Sequence, residues 1–149
     1  MSGIERTTFY PTVEALAQEF RLAIRPDSRP EAGHYYRSDH FSLARVGIPA
    51  FSLHEGVKYK GHDAAWGVQQ ANEYTEKHYH QPSDEYHADS DFTGDAVMTR
   101  FGFALGWAAA MLPNVVGWQK GDGFEAARLR SGRNCATLPV GWRATPTVL

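Results

Sequence analysis

The sequence predicts an α/β domain with a largely parallel sheet, on the strength of three patterns. One is a helix-period stretch that gives way to a short β-type run, Val13 to Phe20 and then Leu22 to Arg25. Another is a helix-like segment closed by Gly47 and followed at once by the near-continuous apolar run Ile48 to Leu53, which suits a strand buried on both faces. The third is the long amphipathic stretch from Phe92 to Leu112.

Each element has its local cause. Thr12 is placed to cap a helix over residues 13–21, with Val13, Leu16, Ala17 and Phe20 on one face at i, i+3, i+4 and i+7. Pro26 stops the strand at 22–25, and Pro30 and Gly33 make 27–33 a loop. Ser38 or Asp39 is the cap of a helix running to about Val46, and Gly47 fits the left-handed C-terminal position. In a parallel sheet the ligand crevice lies beyond the carboxyl ends of the strands, so the strand at 48–53 would bring 54–60 near a site. Residues 61–77 read as loop plus a short helix. Pro82 and the acids Asp84, Glu85, Asp89 and Asp91 mark a turn and the acidic entry to a helix over 92–112. Val97, Phe101, Ala104, Leu105, Ala108 and Met111 form its stripe, and Pro113 ends it. Residues 131–149 have prolines, glycines and threonines without period and read as a poorly ordered tail.

A chain of 149 residues with 42% hydrophobic and 21% charged content is long enough for one domain with a real core. Its formal charge of -2 argues against nucleic acid or an anionic membrane as the main partner. A small or peptide-like ligand is the better expectation. The single cysteine, Cys135, offers neither a disulfide framework nor a thiolate metal site. No signal-peptide pattern opens the sequence, and the apolar run 101–112 is shorter than the roughly 20 residues a membrane span needs. The lack of a cysteine framework fits a cytoplasm, or a periplasm with a protein that needs no staples.

Seven histidines invite a metal reading. No HExxH is present: His54-Glu55 continues into Gly56, Val57 and Lys58. His34, His54, His62 and His87 have no partner at a recognised ligand spacing. His78 and His80, two apart, would share a face in an extended segment. Only His80 stands in a distinctive frame, Tyr79-His80-Gln81-Pro82-Ser83-Asp84, with Arg37-Ser38-Asp39-His40 upstream.

These two segments, together with Gly47-Ile48-Pro49-Ala50 and Trp66-Gly67, resemble the C-terminal half of the co-catalytic zinc aminopeptidases, metallopeptidase family twenty-eight of the MH clan. The resemblance covers roughly residues 31–128. It implies a three-layer αβα zinc-exopeptidase domain with a mostly parallel or mixed sheet, present here as its C-terminal portion over 1–130. It also implies two zinc ions bridged by a carboxylate, with a glutamate as general base. On this resemblance His80 is the last zinc ligand, Tyr79 steadies the oxyanion, and Arg37 contacts substrate. Ser38, Asp39, His40 and Asp84 support the site by capping and hydrogen bonding, Asp84 by tying the loop down through backbone N–H groups. The family's other ligands precede the Arg-Ser-Asp-His segment, and residues 1–36 hold neither a His-x-Asp nor a Glu-Glu pair.

The expected function is therefore that of a metallo-aminopeptidase acting on peptide N-termini, with most metal ligands outside this chain and isolated activity not expected. The expected partners are a peptide substrate and either the missing N-terminal half or a second copy. The alternative is a non-enzymatic truncated fragment or residual peptide-binding module. Glutaminyl cyclase relatives of the clan would place a tryptophan where Tyr79 stands.

Overall fold

The computed structural model describes residues 1–27, 31, 33–54 and 56–130. The expected tail at 131–149 lies outside the described residues. The chain divides into two compact units, the first made of Met1–Leu53 with the chain from Phe101 onward, the second of His54–Arg100. After a 3-10 turn at Ile4–Arg6, the helices are α1 (Tyr10–Glu19), α2 (His34–Arg37), α3 (His40–Arg45), α4 (Ala64–Lys77), α5 (Thr93–Met111) and α6 (Glu125–Arg130).

The predicted α/β sheet is absent among the described residues. Among the described residues β pairing is limited to two isolated antiparallel bridges, Ser2 with Ser52 and Thr7 with Trp118, so the three-layer αβα expectation is overturned. The physical reason is that an apolar run states a burial preference but not a partner, and a strand exists only through its ladder. Residues 48–53 illustrate this. Ser2 and Ser52 each donate a backbone N–H to the other's carbonyl at 3.2 Å, and neither neighbour extends the ladder. The side chains still alternate: Pro49, Phe51 and Leu53 line one apolar cavity of about 410 Å³, while Ala50 is buried and its carbonyl accepts the Tyr35 hydroxyl at 3.1 Å. The other expected strand, 22–25, follows a left-handed Arg21 (φ 56°) and forms no ladder either.

The helix expectations fare better in the first unit. α1 begins earlier than the Thr12 cap predicted, because Pro11 in its first turn has a backbone preset for helix and needs no N–H partner. Val13 and Ala17 are buried as the stripe requires, and Phe20 meets Phe101 edge-on at 5.4 Å. In α5 the stripe is honoured only in part: Phe101 and Leu105 are buried, but Met111 is exposed, as are Phe103 and Trp107. Gly47 adopts φ 84°, closes α3 by an amide bond to the Ala44 carbonyl, and lies so close to the Arg128 backbone that a Cβ has no room.

A second cluster completes this unit. Tyr35, Ala44 and Trp118 are buried, with Phe41 and Phe124 packed against them. The Arg6 guanidinium lies 4.6 Å from the Phe124 ring centre and 5.4 Å from that of Tyr35, and pairs with Asp122 through Nε at 2.7 Å. Burial alone would lower the Arg6 pKa; the hydrogen bond and charge of Asp122 outweigh it and leave the pKa raised. The same burial pushes the Tyr35 phenol up to about 12, despite the opposing pull of Arg6.

The second unit is organised by α4, which is longer than the short helix expected. Asp63 caps it, its carboxylate accepting the Trp66 amide at 2.8 Å. Gly67 faces the Val57 carbonyl, which occupies the space a Cβ would need. Trp66 takes His62 stacked on one face at 3.8 Å and Tyr59 edge-on at 5.2 Å. At the entry to α5, the Asp91 carboxylate accepts the Thr93 amide at 2.9 Å, and its pKa is held below the usual value first by the Thr93 side chain and then by this backbone bond.

Candidate functional site

Arg37, Ser38, Asp39 and His40 belong to the first unit, and Tyr79, His80 and Asp84 to the second. Arg37 is exposed at the end of α2. Asp39 is the N-cap residue of α3, but its side chain makes no capping bond, so the expected cap is not formed. Ser38 instead donates to the His34 carbonyl at 2.7 Å, which ties α2 to the start of α3. His40 is half-buried with its ring edge-on to Tyr35 at 4.7 Å, which joins this segment to the aromatic cluster.

The loop after α4 is built around main-chain turns rather than an extended strand, so the shared face expected for His78 and His80 does not arise. The helix ends with the His78 and Tyr79 amides both bonded to the Tyr74 carbonyl at 2.9 Å. The chain then reverses through His80, whose φ of 60° is in the left-handed region. A histidine there is uncommon, and such residues cluster at functional sites where the surroundings hold them in place. The Gln81 amide returns to the His78 carbonyl at 2.8 Å and the Asp84 amide to the Gln81 carbonyl at 3.0 Å. His80 stacks on Tyr79 with ring centres 4.0 Å apart, and both rings are exposed.

Side chains close the loop. Tyr74 donates its hydroxyl to Asp84 Oδ2 at 2.8 Å. Asp84 thus ties the loop through a side-chain partner, not through the backbone N–H groups that the sequence suggested. Ser83 donates to the Lys77 carbonyl at 3.2 Å, which leaves its oxygen to accept from His78 Nδ1 at 3.0 Å. Ser83 stands in the distinctive frame and Tyr74 ahead of it, but the sequence assigns neither a role. No spacing rule links a residue in the last turn of a helix to one ten positions on in a loop.

The model of peptidase family M28 matches residues 2–100, about two thirds of the chain. The chain belongs to peptidase family M28. The matched span includes both Arg37-Ser38-Asp39-His40 and Tyr79-His80 with its loop, and it reaches further toward the N-terminus than the 31–128 of the sequence resemblance, while ending sooner. No curated protein matches the chain, and neither does any solved structure. Membership supports a peptidase function in general, in a family that is generally zinc-dependent.

Among the described residues no three His, Cys, Asp or Glu side chains stand together as a metal site. One exposed histidine is not the three ligands and open position that a hydrolytic zinc site requires. The described residues therefore do not fit a zinc pair by themselves. Among them, too, no helix is long and apolar enough to cross a membrane.

Proposed function

We propose that this M28 chain forms the substrate-side wall of an aminopeptidase site, with His80 as one metal ligand and Tyr79 as the donor to the oxyanion. The remaining ligands and the general base come from outside the described residues. The observation that carries the reading is the Tyr79-His80 turn, an exposed and stacked pair held at a left-handed histidine inside the matched span.

In this reading Tyr79 presents a phenol donor to the carbonyl oxygen as charge gathers on it, an interaction that strengthens toward the transition state and so lowers the barrier. Arg37, exposed in the first unit, has the planar fork that suits a carboxylate or carbonyl oxygen. Ser38 secures the turn between α2 and α3, His40 packs on Tyr35, and Asp84 holds the His80 loop.

The absence of a ligand group among the described residues favours a second reading, a peptide-binding module without catalysis. The two are separated by assaying an aminoacyl anilide and its N-blocked counterpart. The chain alone with zinc should hydrolyse neither. Joined to polypeptide that carries a His-x-Asp and a Glu-Glu pair, it should cleave only the substrate with a free α-amine. Chelator-sensitive turnover by the chain alone would contradict the assignment of the missing ligands. Failure of the joined protein, with peptide binding retained, would establish the module.

A further inference from the structure

We propose that Tyr74 is a positioning residue for the Tyr79-His80 pair, an inference that rests on reading those two as site residues. Tyr74 grips the loop from both ends. Its carbonyl accepts the His78 and Tyr79 amides where the loop starts, and its hydroxyl donates to Asp84 where the loop closes. Its ring also lies 6.4 Å from that of His78 and 6.2 Å from that of Tyr79. Ser83, bridging the Lys77 carbonyl and His78 Nδ1, is a second tie on the same helix end. Between these ties the chain must reverse, and it does so with His80 at φ 60°.

Nothing hydrophobic substitutes for these bonds. Tyr74 and Tyr79 are 44% and 53% exposed, and among the described residues of 54–100 only Gly67 is buried. A left-handed histidine on an exposed loop keeps its conformation only if neighbours fix it. The Tyr74 hydroxyl donates to the Asp84 carboxylate, so deleting it should release the closing end of the loop and leave α4 intact.

The experiment is NMR on the full chain carrying Tyr74→Phe, which keeps the ring and the carbonyl. The His80 ring protons, shifted by the stacked Tyr79 ring, should move toward their free positions. The Asp84 amide should exchange about fivefold faster, the weight of one net hydrogen bond. Tm should stay where it is. Asp84→Ala should reproduce both changes, and the double variant should add nothing. Wild-type His80 shifts and exchange in Tyr74→Phe would overturn the proposal. So would changes that appear only alongside a general loss of Tm, since that is a merely structural role. Failure of the underlying site reading shows separately, as His80→Ala keeping full zinc and turnover in the completed peptidase, and would leave Tyr74 ordering a loop of no catalytic use.

Discussion

In the first unit the order comes from burial: every buried hydrophobic side chain among the described residues belongs to it, from Ile4 and Val13 to Phe101 and Trp118. The second unit holds its loop by hydrogen bonds and ring contacts at the surface, through Tyr74, Ser83, Asp84 and the stacked Tyr79-His80 pair. Burial is non-directional and strong per residue, whereas exposed hydrogen bonds are directional and individually weak. The lesson is a division of labour. Substitutions in the first unit should change whether the chain folds, and substitutions in the loop should change how two side chains are held.

The largest effect should come from Phe101→Ala. Phe101 is 1% exposed and packs edge-on against Phe20, so its removal leaves a void and should cost about 3–5 kcal/mol by chemical denaturation. A loss under about 1 kcal/mol would mean that the first unit is not held by its core.

A smaller effect probes the same unit by pH. The Tyr35 phenol is pushed from its ordinary value of 10.0 up to about 12, first by burial. Between those values the unfolded chain loses its proton while the folded chain keeps it, so stability is fully present below pH 10 and falls as pH rises to about 12. Tyr35→Phe should flatten that part of the stability curve, at the cost of the bond to the Ala50 carbonyl. An unchanged alkaline slope would place the responsible group elsewhere.

Much of the helical structure was legible because helix signals are local. The stripe Val13, Ala17, the turn at Gly47 and the span of α5 follow from spacing and backbone preference. The sheet was not legible, because Ile48 to Leu53 has the composition of a buried strand and the alternation of one, yet pairing depends on distant chain. Met111 shows the same limit at a helix face: period assigns it to the stripe, and the space around it leaves it exposed. At the site, the residue types around His80 were readable from Tyr79-His80-Gln81-Pro82-Ser83-Asp84. The left-handed turn and the Tyr74 tie were not, since both depend on how the loop folds back on α4.

Whether the Tyr79-His80 pair carries the chemistry is tested most directly by comparing His80→Ala with Tyr79→Phe in the completed peptidase, measuring bound zinc and kcat together. His80→Ala should lose zinc and turnover in parallel, because removing one of about three ligands leaves the ion weakly held. Tyr79→Phe should keep its zinc and its KM and lose about 2.7–4 kcal/mol of transition-state stabilisation, on the order of a hundredfold or more in kcat. Full zinc in His80→Ala, or an unchanged kcat in Tyr79→Phe, would contradict the claim and make the pair a structural turn.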